Sequence, residues 1–116
     1  PVVVSDDLAA ARDALRPMLA LYLGGMGARG RNFYNRLAVR YGYAQAAERV
    51  QDHFLAGRRG DAAAAVPDSL IDEVALLGDR ARITERLAAF ADCGVTTLIM
   101  HTRDPATLRL MAELVV

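Results

Sequence analysis

The sequence has no lysine: all 14 of its basic residues are arginine. Every positive side chain is therefore a guanidinium, charged at any ordinary pH. Fourteen acidic residues balance them, so no net charge recruits nucleic acid or a membrane surface. A single cysteine, Cys93, excludes an internal disulfide and a cysteine-built zinc cluster, which fits a reducing, cytoplasmic setting. No apolar run approaches the ~20 residues of a membrane span, and the opening residues lack a charged-then-apolar leader pattern. One window lacks acid altogether. Between Ala14 and Ala47 there is no carboxylate, whereas Arg16, Arg29, Arg31, Arg36 and Arg40 fall there.

What is present is apolar. Hydrophobic residues make up 53% of the 116 positions and charged residues 24%, the composition of a packed globular segment of at most one domain. The chain opens at Pro1 in what already reads as a strand, so the expectation is a fragment. "PVVV" (1–4) is β-branched, and Ser5-Asp6-Asp7 offers a turn and an N-cap. Leu8, Ala11, Leu15, Met18 and Tyr22 recur at helical spacing and predict a helix over 6–23, kinked or split at Pro17 and ended by Gly24-Gly25.

Asn32 caps a second helix to about Tyr41, with Phe33, Leu37 and Tyr41 on one face. A third helix covers 43–57, with a stripe of Tyr43, Ala47, Val50 and Phe54. A short alanine helix ends at Pro67, and another runs through Leu77. Asp79 caps a helix over 80–92 that Gly94 ends. "VTTLIM" (95–100) is nearly continuous in apolarity and predicts a strand buried on both faces. Asp104-Pro105 opens the last helix. The order implies an α/β layer architecture, and two strands alone cannot make a sheet with two protected faces.

Gly25, Gly27 and Gly30 form a G-x-G-x-x-G array within "GGMGARGRNFYN" (24–35). A dinucleotide fingerprint needs a strand before the array and an acidic residue about twenty positions on. Here a helical stripe precedes it and the third helix follows, so a helix-to-helix connection is the better reading. Arg29 and Arg31, with the N–H groups opening the second helix, compose either an anion cradle or a solvated arginine face on a loop.

The segments "PVVVSDDLAAARDALRPMLALYLGGMGARGRNFYNRLAVRYGY" and "VPDSLIDEVALLGDRARITERLAAFADCGVTTLIM" resemble the C-terminal part of luciferase-like monooxygenases. The likeness is strongest to the deazaflavin (F420)-dependent oxidoreductases of that superfamily, abundant in actinobacteria. It implies an α/β fold: the C-terminal fragment of a (β/α)8 TIM-type barrel, mostly helical with two short parallel-type strands. Residues 1–5 would be a late barrel strand, 6–77 a helical insertion, and 78–116 the last helix–strand–helix. It also implies an enzyme that uses coenzyme F420, with FMN the alternative, to move hydride to or from a small organic substrate. The missing N-terminal part of the barrel would hold most of the cofactor pocket, leaving the fragment alone inactive.

Barrel enzymes carry their sites at the C-terminal ends of strands, which puts His101 and Arg103, just after "VTTLIM", at the rim. His101 is either a proton-transferring or cofactor-bonding group or an idle loop histidine, and Arg103 pairs a phosphate or flanks a helix. In the family the insertion covers the barrel mouth, so Asn32, Tyr34 and Asn35 would line the entrance. Arg29 and Arg31 would meet the phosphate and oligoglutamate tail of the coenzyme. Asp72 and Glu73 are adjacent and diverge on a helix, so they form no acid–base dyad. No metal set is present. The rival functions are a non-catalytic helical interaction module, with a possible homodimer, and nucleic-acid binding through "ARGRNFYNR", which zero net charge disfavours.

Overall fold

The computed structural model describes residues 1–115; Val116, the end of the expected 78–116 segment, lies outside the described residues. In chain order the elements are β1 (Val2–Val4), α1 (Leu8–Ala20) running into a π-helical turn (Leu21–Gly25), α2 (Phe33–Arg40), α3 (Ala44–Leu55), α4 (Arg59–Ala64), α5 (Asp68–Val74), β2 (Leu76–Gly78), α6 (Arg80–Asp92) and α7 (Pro105–Val115). They fall into two compact units: Pro1–Arg12 with the chain from Val74 onward, and Asp13–Glu73.

In the first unit β1 and β2 pair in parallel, Val2 opposite Leu76, Val3 opposite Leu77 and Val4 opposite Gly78. Bonds from Leu76 N–H to the Pro1 carbonyl and from Ser5 N–H to the Gly78 carbonyl, both 2.9 Å, extend the ladder at each end. Gly78 turns the chain from strand to helix. Its φ is +111°, and a Cβ there would lie 2.6 Å from Arg82 Cδ, so only glycine suits the position. Asp79 follows as the N-cap of α6, its Oδ1 accepting the Arg82 N–H at 2.8 Å. Val2, Leu76, Ile83 and Met111 make the core, with Leu87, Phe90, Met100 and Leu114 packed against it.

Two expectations about strands are corrected here. The second strand is Leu76–Gly78, where the apolar run had read as the end of a helix through Leu77; α5 stops at Val74. Residues 95–100 are not a strand. They carry no regular structure, and Ile99 is 81% exposed. A strand requires a neighbour's unpaired N–H and C=O groups. The described sheet has two strands, β1 and β2, each bonded to the other and neither to this segment.

In the second unit α3 packs against the π-helical turn, α2 and α4. Small buried residues (Ala38, Ala47 and Ala62) let these helices approach, with Leu15, Leu23, Val50, Val66, Leu70 and Ile71 filling the interior. Arg16 ties the ends of the unit together. It pairs with Asp13 at 2.7 Å and with Asp68, and donates to the Val66 carbonyl. Its pKa is raised, chiefly by the hydrogen bond to Asp13. Pro17 does not split α1, and the helical run ends at the glycine pair, as expected. Before it ends, the helix widens into the π turn, whose last two residues are Gly24 and Gly25.

Candidate functional site

The glycine-rich stretch is built for packing. A Cβ on Gly24 would overlap Phe54 Cβ and come within 2.8 Å of its Cγ; one on Gly25 would meet Phe54 Cζ at 2.8 Å. A Cβ on Gly27 would lie 2.8 Å from the Arg31 carbonyl oxygen, where the loop folds back on itself. Gly30 has φ +73°. Each glycine thus has a steric or conformational reason of its own, and a π-helical turn, not a strand, precedes the array. No dinucleotide cradle is formed. The Arg59 guanidinium sits over the Phe54 ring, 4.5 Å from its centroid.

Asn32 and Asn35 are the fasteners of this loop. Asn32 is 1% exposed. Its Oδ1 accepts the Asn35 N–H at 3.0 Å as the cap of α2, and its Nδ2 donates to the Tyr22 and Leu23 carbonyls at 2.9 and 3.1 Å. Those carbonyls lie in the π-helical turn. Asn35 Nδ2 bridges the Leu23 and Ala47 carbonyls at 2.9 and 2.8 Å. Both side-chain amides are thus committed to backbone, as positioning groups.

The two cradle arginines part company. Arg29 pairs with Asp52 of α3, whereas Arg31 is exposed and forms no ion pair among the described residues. Tyr34 meets Tyr22 edge-on at 4.7 Å and Phe33 at 5.4 Å, a small aromatic cluster at the surface.

The stripe of Phe33, Leu37 and Tyr41 does not seal a core. Phe33 is 66% and Tyr41 54% exposed, while Ala38 is the residue α2 buries. Phe33 and Leu37 instead line a shallow groove of about 120 Å³ with Arg36 and Arg40. The helical spacing groups Phe33, Leu37 and Tyr41 on one face but does not say which way that face turns. A second groove, of about 150 Å³, lies in the first unit among apolar residues that include Val2, Leu76, Phe90, Leu98 and Met100.

His101 and Arg103 are exposed in the irregular segment before α7. The structured group there is Asp104. It accepts the Thr107 hydroxyl at 2.6 Å and the Thr107 and Ala106 N–H groups at 3.0 and 3.2 Å. The Thr107 hydroxyl first, then these N–H groups, hold its carboxyl below the usual carboxylate range. A depressed folded-state pKa contributes stability above the unfolded value and loses it as pH falls through the folded one. Acidification below about pH 4 is therefore expected to fray the start of α7, seen as faster amide exchange at Ala106 and Thr107. In Asp104→Asn this acid-dependent step should vanish.

Among the described residues no group of histidine, cysteine and carboxylate side chains could hold a metal, and no helix is long and apolar enough to cross a membrane. Cys93 is exposed.

The family profile for luciferase-like monooxygenases matches residues 1–97. The chain belongs to that family. Among curated proteins, one of Mycobacterium tuberculosis named "Putative coenzyme F420-dependent oxidoreductase Rv3520c" is 38% identical over 114 residues. That span is 98% of this chain and 33% of the relative, so the chain covers about a third of the relative's length. No solved structure matches the chain significantly.

Proposed function

We propose that this chain is the C-terminal third of a cytoplasmic (β/α)8-barrel oxidoreductase that moves hydride between coenzyme F420 and a small organic molecule. The observation that carries the reading is the 38% identity, sustained over 98% of the chain, to a protein named for that coenzyme. The parallel pairing of β1 and β2, each with its outer edge unpaired among the described residues, supports a place in a longer sheet. In this reading β1 is a late barrel strand, the helices from α1 to α5 are the insertion, and β2 with the chain after it is the closing part of the barrel.

The residues present suit one end of the coenzyme better than the other. Neither groove, at about 120 and 150 Å³, reaches the ~300–1,000 Å³ of ordinary ligand pockets, so neither encloses a tricyclic ring by itself. The arginines of an acid-free loop, Arg31 foremost, suit the phosphate and carboxylates of the tail. Arg29 contributes only by sharing itself with Asp52. Tyr34, His101 and Arg103 are exposed and available as rim groups, with Asn32 and Asn35 fixing the loop that carries Tyr34. When bound, the deazaflavin supplies the hydride chemistry; the protein's part is to bind and orient.

Full-length protein titrated with F420 and, separately, FMN tests this directly. Saturable F420 binding and substrate-dependent bleaching of its visible absorbance are expected, with FMN binding far weaker. Arg31→Ala should weaken F420 binding by about tenfold, the loss of a charge-assisted hydrogen bond, and flatten its salt dependence. FMN bound in preference to F420 would reassign the cofactor. Binding of neither would end the oxidoreductase reading.

A further inference from the structure

The arginines of this protein are unevenly neutralised. Arg16, Arg29, Arg58 and Arg80 each reach a carboxylate, and Arg59 lies over Phe54. Arg36 and Arg40 form no ion pair among the described residues, although they stand one turn apart on α2, where like charges repel. No acid from Ala14 to Ala47 is available to relieve them locally. Between and beside them Phe33 and Leu37 present apolar surface to the same groove, and Phe33 stays 66% exposed. Two convergent cations without a counter-ion, joined to an aromatic and an aliphatic wall, are the components of a site for an amphiphilic anion.

We propose that the α2 groove binds a small organic anion: a phosphate or carboxylate head held by Arg36 and Arg40, with a compact apolar body against Phe33 and Leu37. The head relieves the repulsion between the guanidiniums, which grip oxyanions through paired N–H donors. The groove's volume of about 120 Å³ is close to that of a cavity that admits a benzene ring, so the body is one ring or a short acyl chain. A macromolecular partner would need a patch of roughly 800 Å² on this protein, far more than four residues offer. This site stands independently of the coenzyme reading, because neither Arg36 nor Arg40 carries that reading.

Calorimetric titration of the protein with phenyl phosphate, inorganic phosphate and phenol separates head from body. Phenyl phosphate is expected to bind about tenfold more tightly than inorganic phosphate, with phenol undetectable. In Arg36→Ala/Arg40→Ala the phenyl phosphate affinity should fall at least about tenfold, and in Phe33→Ala the preference over inorganic phosphate should disappear. Both variants alter surface positions, and an unchanged circular dichroism spectrum verifies their fold. Phenyl phosphate binding that is absent, or equal in wild type and the double-arginine variant, overturns the proposal. So does an acidic peptide or RNA that binds through these arginines while phenyl phosphate does not.

Discussion

Replacing Asn32 with Asp is expected to cost about 2–4 kcal/mol of folding stability, although Asp is an excellent helix cap. The cap itself survives, because a carboxylate oxygen can still accept the Asn35 N–H. What fails is the other half of the amide. Nδ2 donates to two carbonyls of the π-helical turn, and a carboxylate in its place would set an acceptor against two acceptors in a site only 1% exposed. Asn32→Ser should be milder, keeping the cap and losing only the bridge. A distinctive signature accompanies the Asp variant. Its carboxyl pKa should be raised in the folded state, so its deficit against wild type should shrink as pH falls and the protonated acid becomes a donor. Urea denaturation across pH checks both points; an Asp variant as stable as Ser at neutral pH would show that setting a carboxylate against the two carbonyls costs nothing, and a Ser variant as stable as wild type would show that the amide bridge contributes nothing.

Gly24→Ala is expected to destabilise by about 3 kcal/mol, at the upper end for overpacking, and Gly25→Ala by about 1 kcal/mol. The difference lies in what each new methyl would strike. At Gly24 it overlaps Phe54 Cβ and presses on the Val50 carbonyl at 3.2 Å, so α3 itself must retreat. At Gly25 it meets the far edge of the Phe54 ring, which can rotate. Shortening the ring should therefore rescue one and not the other. In thermal denaturation, Phe54→Leu combined with Gly25→Ala should be better than additive, while Phe54→Leu with Gly24→Ala should add within about 0.5 kcal/mol. Equal behaviour of the two glycines would contradict the packing seen here.

Local chemistry was legible wherever one or two residues decide an outcome. Asn32 and Asp79 announced their helices, and both caps are present with the expected side-chain acceptors. The stripe of Ala47 and Val50 in α3 faces inward as its spacing requires. The failures share a cause, which is dependence on a distant partner. Leu76-Leu77 is a strand only because Pro1–Ser5 lies alongside it, and nothing in "VALLGD" distinguishes that from a helix end followed by a stop glycine. Val95–Met100 has strand composition and no strand to pair with. The site suffered likewise. Periodicity grouped Phe33, Leu37 and Tyr41 correctly but could not say that α2 turns Phe33 and Tyr41 outward and buries Ala38. Nor could it say that Arg29 is claimed by Asp52 while Arg31 stays open.

The division into two units has a spectroscopic consequence. The chain has no tryptophan, so its intrinsic emission comes from tyrosine, and Tyr22, Tyr34, Tyr41 and Tyr43 all fall within Asp13–Glu73. Fluorescence therefore watches the arginine–glycine loop and its helices while the β1–β2 unit stays dark. Circular dichroism, in contrast, registers helices of both, so the two signals together resolve whether the halves melt as one.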